Sequence, residues 1–471
     1  YNQLLRWDPT TDEFGCDLCE SWKWEGANNI VFTLRQGVKF HNGKDLTIRD
    51  VTYSMRKAVG EIDKQPSRSG AALAPELQGF ETRDDKTFVI KLKRASRTAI
   101  ALLATDYFPI YPEGTTTEDL RSGPNGSGPF VLVEHIPGST AKFERNPNYF
   151  KKGYPRLDRI TLYFIPDENA GVAALLAGRV DRKDDAGRPV SREFTQRVSE
   201  LVAQKKLVLI STPGVQFPTG LIFNVKKPPF DDIRVRKALA LSIDRKALSA
   251  IATDGRGRDL LIYPPQEFNK WGMPVEWIRQ QPGLRQPKNA DVAEAKRLLA
   301  EAGFTPAKMR DTKLTLSGYG FTDEQSYMAQ AVAGEVSKLG FSVSYEGIDP
   351  GIYHGVMEAQ KHQMTHFGFG KVIEEPAVVF QQWKCGGPEN WAGYCNPKYD
   401  ALYEKIASTL DAAELRELAH QAEQMVVFED WVIAPTVVRP FDFVWWSYVK
   451  GWKPPPSYFY GMSHEQMYRE E

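Results

Sequence analysis

NVKKPPFDDIRVRKALA, residues 224–240, is the stretch on which the fold turns. It follows an alternating apolar run, Gly220–Val225, that reads as a strand. Pro228 and Pro229 hold the next step extended, and neither can continue a strand ladder or sit inside a helix. Asp231 and Asp232 then place negative charge where a helix N-terminus favours it, with Asp232 in the capping position. The spacing beyond predicts one long helix over Ile233–Ile251, carrying Arg234, Arg236 and Leu239.

Outward from this seam lie two more. RSGPNGSG at 121–128 is rich in Gly, Pro and Ser, and Val438–Pro440 leads into an aromatic tail. Together they divide the chain into residues 1–125, 126–223, 224–436 and 437–471. If the last piece rejoins the second, the chain forms two lobes joined by two crossing strands near Asn224 and Arg439, which is a hinged clamp.

Apolar alternation predicts further strands at Ile30–Leu34, Phe88–Leu92, Phe130–Glu134, Arg159–Ile165, Leu207–Ser211, Lys313–Ser317, Ser342–Glu346 and Val432–Val438. Helical spacing marks Ile48–Lys57, Ala170–Ala177, Asp291–Ala302, Gln325–Leu339, Pro397–Thr409 and Ala412–Phe428. Thr47 with Asp50 has the form of a capping box, and Gly303 and Gly340 stand just past the last turns of two helices. Strands and helices intermix, so the class is α/β, α+β mixed, with more than one sheet.

The 471 residues are enough for two or three domains. Lys plus Arg is 60 and Asp plus Glu is 60, so no overall charge draws the chain to nucleic acid or an anionic membrane. No apolar run reaches the roughly 18 residues of a membrane-crossing helix. GxSxG, GxGxxG, P-loop and HExxH motifs are all absent from the sequence. Of the histidines, only His362 and His366 share a helical spacing, and they fall in a predicted turn and strand. Cys16 and Cys19 could be a disulfide, a redox pair, half a zinc site or two buried thiols; no second CxxC favours zinc. Cys385 and Cys395 bracket a Gly-, Pro- and Asn-rich span with the look of a stapled loop, which would persist only in an oxidising compartment.

In order and spacing, a series of motifs resembles the family 5 solute-binding proteins of ABC transporters. They are Glu20–Trp22 (ESW), Phe32–Arg35 (FTLR), Gly37–Phe40 (GVKF), Asn42–Val51 (NGKDLTIRDV), Gly126–Phe130 (GSGPF), Glu144–Phe150 (ERNPNYF), Leu175–Asp181 (LLAGRVD), the opening stretch with Ile243–Arg245 (IDR), Asn396–Asp400 (NPKYD) and Val449–Trp452 (VKGW). The resemblance covers nearly the whole chain. It implies a two-lobed periplasmic-binding-protein-like fold with an extra subdomain in the first lobe. In that scheme residues 1–125 are the extra subdomain, 126–223 the first lobe's core, 224–436 the second lobe, and 437–471 the return. By the same resemblance Tyr1 corresponds to a position some tens of residues into a mature protein, after a leader or anchor.

The resemblance also places the ligand near HFGFGKVIEEP, residues 366–376. Peptide-binding members carry an Arg, a Trp and an Asp there, and the Asp pairs with the peptide's amino group. With Pro376 as the register point, these positions are His366, Phe369 and Val372. A buried ammonium needs a carboxylate partner; either Glu374 or Glu375 substitutes, or no free amino terminus is clamped. Lys371 is a candidate for a ligand carboxylate or a solvated loop lysine. Phe367, Phe369, Trp383, Trp391, Tyr319, Phe223 and Trp445 are candidate aromatic walls, each with lobe core as the plainer reading. Trp446 is another. Asn224 on a crossing strand could bond an extended peptide. Cys385 and Cys395, with Asn390 between, resemble the short disulfide loop of dipeptide-binding members.

The expected function is capture, without chemistry, of a small-molecule or oligopeptide ligand for ABC permease subunits. The expected protein is an extracytoplasmic monomer, free or lipid-anchored, with no cofactor, metal or nucleic-acid partner. Oligosaccharides or opine-type solutes are an alternative ligand class. A secreted glycosidase-like enzyme using Glu374 and a second carboxylate is the alternative of another kind.

Overall fold

The computed structural model describes every residue except 9–12, 185–191, 213–218, 253–254, 256, 260, 268, 321–322, 369–372, 374, 439–440, 455–463 and 471. The chain forms two compact units, one of Tyr1–Thr212 with Phe441–Glu471 and one of Pro213–Pro440.

The second unit is built on a five-stranded sheet. Its order is Ser342–Ile348, Lys313–Tyr319, Met364–Gly368, Thr219–Phe223, Ile433–Pro435. The strand Lys313–Tyr319 runs parallel to both its neighbours, with Tyr319 opposite Ile348 and Gly318 opposite His366. Thr219–Phe223 runs antiparallel to Met364–Gly368 and to Ile433–Pro435. Side chains alternate between the two faces of a strand, and each face has its own core. Leu221, Phe223, Leu314 and Leu316 meet Val235, Leu239, Leu298 and Val332 from the helices Ile233–Ser242, Asn289–Glu301 and Asp323–Ser337. Ile222 and Ile433 meet Tyr353, Tyr399, Ile406, Leu415 and Val426 on the other face.

The long helix expected over Ile233–Ile251 is two helices, Ile233–Ser242 and Arg245–Ala252. Ile243 leaves the helical conformation at φ −67° and ψ 115°. Asp244 then accepts from the backbone N–H groups of Lys246 and Ala247, restarting the helix. The break turns the buried guanidinium of Arg245 onto the carbonyls of Pro435 and Gly283. Gly303 follows the helix Asn289–Glu301 at φ +77°, a conformation that suits glycine.

The first unit holds three principal sheets. One is the antiparallel set Cys19–Glu25, Asn29–Leu34, Thr87–Leu92, Leu77–Thr82. The helix Ile48–Ala58 opens as expected, with Asp50 Oδ2 accepting from the Thr47 backbone N–H at 2.7 Å. A second sheet joins Phe130–Ile136, Thr140–Arg145 and Arg159–Tyr163. In the third, the late strand Phe441–Trp446 lies between Arg182–Asp184 and Leu207–Thr212. Cys16 and Cys19 form a disulfide, which settles the four readings left open for them. Among the described residues no helix is long and apolar enough to cross a membrane.

Candidate ligand-binding site

One edge of the second unit's sheet collects the carboxyl ends of three parallel strands, at Tyr319, Ile348 and Gly368. Thr219, opposite Gly368, begins its strand at the same edge, and Pro435 ends another there. Ligands of open α/β sheets bind outside the carboxyl ends of strands, so this edge is the natural place to look.

A cluster of rings stands there. Tyr319 lies 5.2 Å from Tyr353 and 5.5 Å from Phe367, centroid to centroid, both edge-to-face. Phe367 stacks on Tyr353 at 5.0 Å and meets Trp391 edge-on at 5.1 Å. His354 adds an imidazole 5.4 Å from Trp391 and 6.0 Å from Phe367. Tyr353 and Trp391 are the buried floor; Tyr319 and Phe367 are half-buried, and His354 is exposed.

The floor is fixed by hydrogen bonds. The Tyr353 hydroxyl lies 2.6 Å from Thr365 Oγ1, which donates to the Ser317 carbonyl at 2.9 Å. Burial pushes the Tyr353 phenol well above its usual range, so it stays protonated. On the opposite, helix-covered face of the strand Lys313–Tyr319, Gly318 makes room for the Tyr345 ring, which a Cβ there would approach within 2.6 Å. Trp391 is carried by the loop closed by the Cys385–Cys395 disulfide. Asn390 braces the same loop, donating to the carbonyls of Lys384 and Tyr394 and accepting from the Tyr394 N–H.

The sequence-predicted residues separate into groups. Tyr319, Phe367 and Trp391 come together, and Cys385 and Cys395 form the expected disulfide. Phe369, Lys371 and Glu374, with Val372, lie outside the described residues. Glu375 is buried at the start of the helix Pro376–Phe380.

Six others stand in the scaffold. Phe223 is fully buried against Phe230, because strand alternation turns it into the helix-covered core. Trp383 is buried in the opposite core. The Asn224 amide already donates to the carbonyls of Gln360 and His362 and accepts from the Lys226 N–H, so it ties a turn together instead of facing solvent. His366 points to the other face of its strand from Phe367 and bonds Thr436. Burial lowers its pKa to about 4, so it is a neutral imidazole. Trp445 packs on Trp452 at 5.0 Å in the first unit, and Trp446 Nε1 donates to the Leu175 carbonyl.

Tyr353 and His354 were missed in the sequence. They lie on the helix Pro350–Glu358, whose start is legible in Asp349-Pro350: the Asp349 carboxylate accepts from Gly351 N–H at 2.8 Å. The glycines within that helix hid its spacing.

Among the described residues, one cavity stands apart from the cluster and another touches it at Trp391. One of about 470 Å³ in the first unit is lined by Tyr1, Arg6, Asp17, Phe130, Phe143 and Glu465, among others. Its charged end is satisfied internally, by Arg6 with Glu465 at 2.6 Å and Lys151 with Asp17 at 2.8 Å. The other, about 290 Å³, borders the disulfide loop at Lys226, Gln360, Asn390 and Trp391.

A unit built on a mixed sheet with an aromatic-floored strand edge, in a chain whose last segment returns to the first unit's sheet, has the fold of the periplasmic binding proteins. The chain belongs to the bacterial extracellular solute-binding proteins, family 5, whose sequence profile matches residues 13–391. It is 26% identical over 457 residues to heme-binding protein A of Haemophilus influenzae, covering 90% of this chain and 79% of that protein. It is 22% identical over 453 residues to the dipeptide-binding protein DppE of Bacillus subtilis, covering 88% and 77%. Among solved structures, NikA from Brucella suis in complex with Fe(III)-EDTA superposes with a TM-score of 0.82 at 20% identity, covering 100% of this chain and 94% of that one.

Proposed function

We propose that this protein captures a peptide or peptide-like solute outside the cytoplasm and presents it to the permease of an ABC importer. Family membership carries solute binding for an importer, and favours it over a glycosidase-like enzyme. The narrower reading of peptides has the support of a dipeptide-binding relative. The observation that carries the site is the ring cluster of Tyr319, Tyr353, Phe367 and Trp391 at the carboxyl edge of the second unit's sheet. Aromatic walls bury large apolar area with few rotors to freeze, which suits a site that must hold side chains of varied shape.

Binding works here by differential affinity alone: the solute stabilises the bound form and leaves unchanged. The protein acts as a monomer, with no cofactor of its own. Native mass spectrometry of the protein purified under non-denaturing conditions is the deciding experiment, paired with thermal melts in di- to hexapeptides. A co-purifying peptide, and a melting temperature that rises with peptide concentration, are expected. Recovery of a glycan, or turnover of any added solute, would overturn the reading.

A further inference from the structure

We propose that the solute carries an aromatic ring, seated on Tyr319 and Phe367, with His354 bonding a polar group next to that ring. This rests on the peptide-capture reading and narrows it to a class of solute. Three observations meet at one place. The cluster is closed beneath by Tyr353 and Trp391, above which Phe367 is half-buried and His354 exposed. Its contacts are mainly edge-to-face, an array that a further ring extends without disturbing the rings already present. And His354, held against Trp391 and Phe367 by its ring, has no hydrogen-bond partner among the described residues.

An exposed imidazole with both nitrogens available can donate to a carboxylate or carbonyl, or accept from an amide. Its place at the rim of an aromatic floor fits a residue whose side chain is a ring and whose backbone is polar. An aliphatic side chain would gain area on the same floor but no ring geometry.

The test is competitive retention from an equimolar library of di- to hexapeptides, read by native mass spectrometry. Peptides with Phe, Tyr or Trp are expected to be retained over their alanine counterparts about fivefold or more. Phe367→Leu, which keeps apolar bulk and removes the ring, should bring retention of aromatic peptides down to that of their alanine counterparts. His354→Ala should weaken aromatic and alanine peptides alike where the polar contact is to backbone. Retention with no aromatic preference, or a preference for lysine peptides, overturns this inference and leaves peptide capture standing. Retention of no peptide by the wild-type chain overturns peptide capture itself. An unchanged melting temperature in Phe367→Leu separates lost recognition from lost folding.

Discussion

The imidazole Nε2 of His366 lies 3.1 Å from Thr436 Oγ1, linking the strand that carries Phe367 to the last residues before the chain leaves its second unit. The hydroxyl of Thr436 also reaches the Thr219 carbonyl at 3.0 Å, and Thr219 Oγ1 donates to the Val437 carbonyl at 3.0 Å. Thr219 and Thr436 thus tie the two ends of the second unit to each other. Thr436→Val keeps the shape and removes the hydroxyl, leaving a buried imidazole nitrogen without its partner. Urea unfolding should show a loss of about 1–3 kcal/mol. An unchanged midpoint would mean that another group takes over the bond.

Glu423 predicts an alkaline loss of stability. Its carboxyl is fully buried and accepts from the backbone N–H groups of Ile262 and Tyr263. Burial raises its pKa from 4.5 to about 8. The folded chain therefore holds a proton that the unfolded chain has lost, and the stabilisation is full below 4.5 and disappears as pH rises to about 8. His366 acts in the opposite sense: its pKa falls from 6.5 to about 4, so stability drops as pH falls through that window. In Glu423→Gln, the amide oxygen can still accept both bonds. Relative to this variant, wild type should lose about 1.4 kcal/mol per pH unit across the middle of the Glu423 range. Parallel stability curves from pH 5 to 8 would show that Glu423 is ionised in the folded protein.

The Cys385–Cys395 disulfide should be worth about 3 kcal/mol, since it closes a short loop. Cys395 is exposed, so reductant can reach the bond in the native protein. Double replacement by serine should lower the melting temperature and loosen Trp391, the loop's contribution to the ring cluster. Peptide affinity should fall with it. Wild-type affinity in the double variant would mean that Asn390 and the Val225–Ala392 backbone bond suffice to hold the loop.

The parallel strands of the second unit were legible because Lys313–Ser317 and Ser342–Glu346 alternate cleanly. The helix break at Ile243 was not, because apolar spacing continues straight through it and only Asp244 signals the restart. Of the site, Tyr319, Phe367 and Trp391 could be read from aromatic residues near a motif. Phe223 and Trp383 could not be told from them, since the same ring chemistry serves wall and core, and only strand parity decides. His366 shows the same limit for polar groups: its position in the motif suggested a ligand contact, whereas alternation turns it to the face away from Phe367.

Arg234 and Arg236, two residues apart on one helix, predict opposite outcomes. Arg234 is exposed and pairs with Asp232, its neighbour at the helix start, through a contact that solvent can replace. Arg236 is buried and donates to four backbone carbonyls, chiefly Phe230 at 2.7 Å, Asp430 at 2.7 Å and Trp431 at 3.1 Å, with Asp231 at 3.5 Å. It joins the turn before the helix to the turn before the strand Ile433–Pro435. Removing it strands these acceptors away from water, whereas a lysine there can satisfy one direction only. Arg236→Met should cost about 3 kcal/mol or more in urea unfolding, and Arg236→Lys should recover little of it. Arg234→Met should leave the midpoint nearly where it was. Equal losses from both arginines would mean that the helix-end ion pair, not the buried carbonyl network, secures the entry to the second unit.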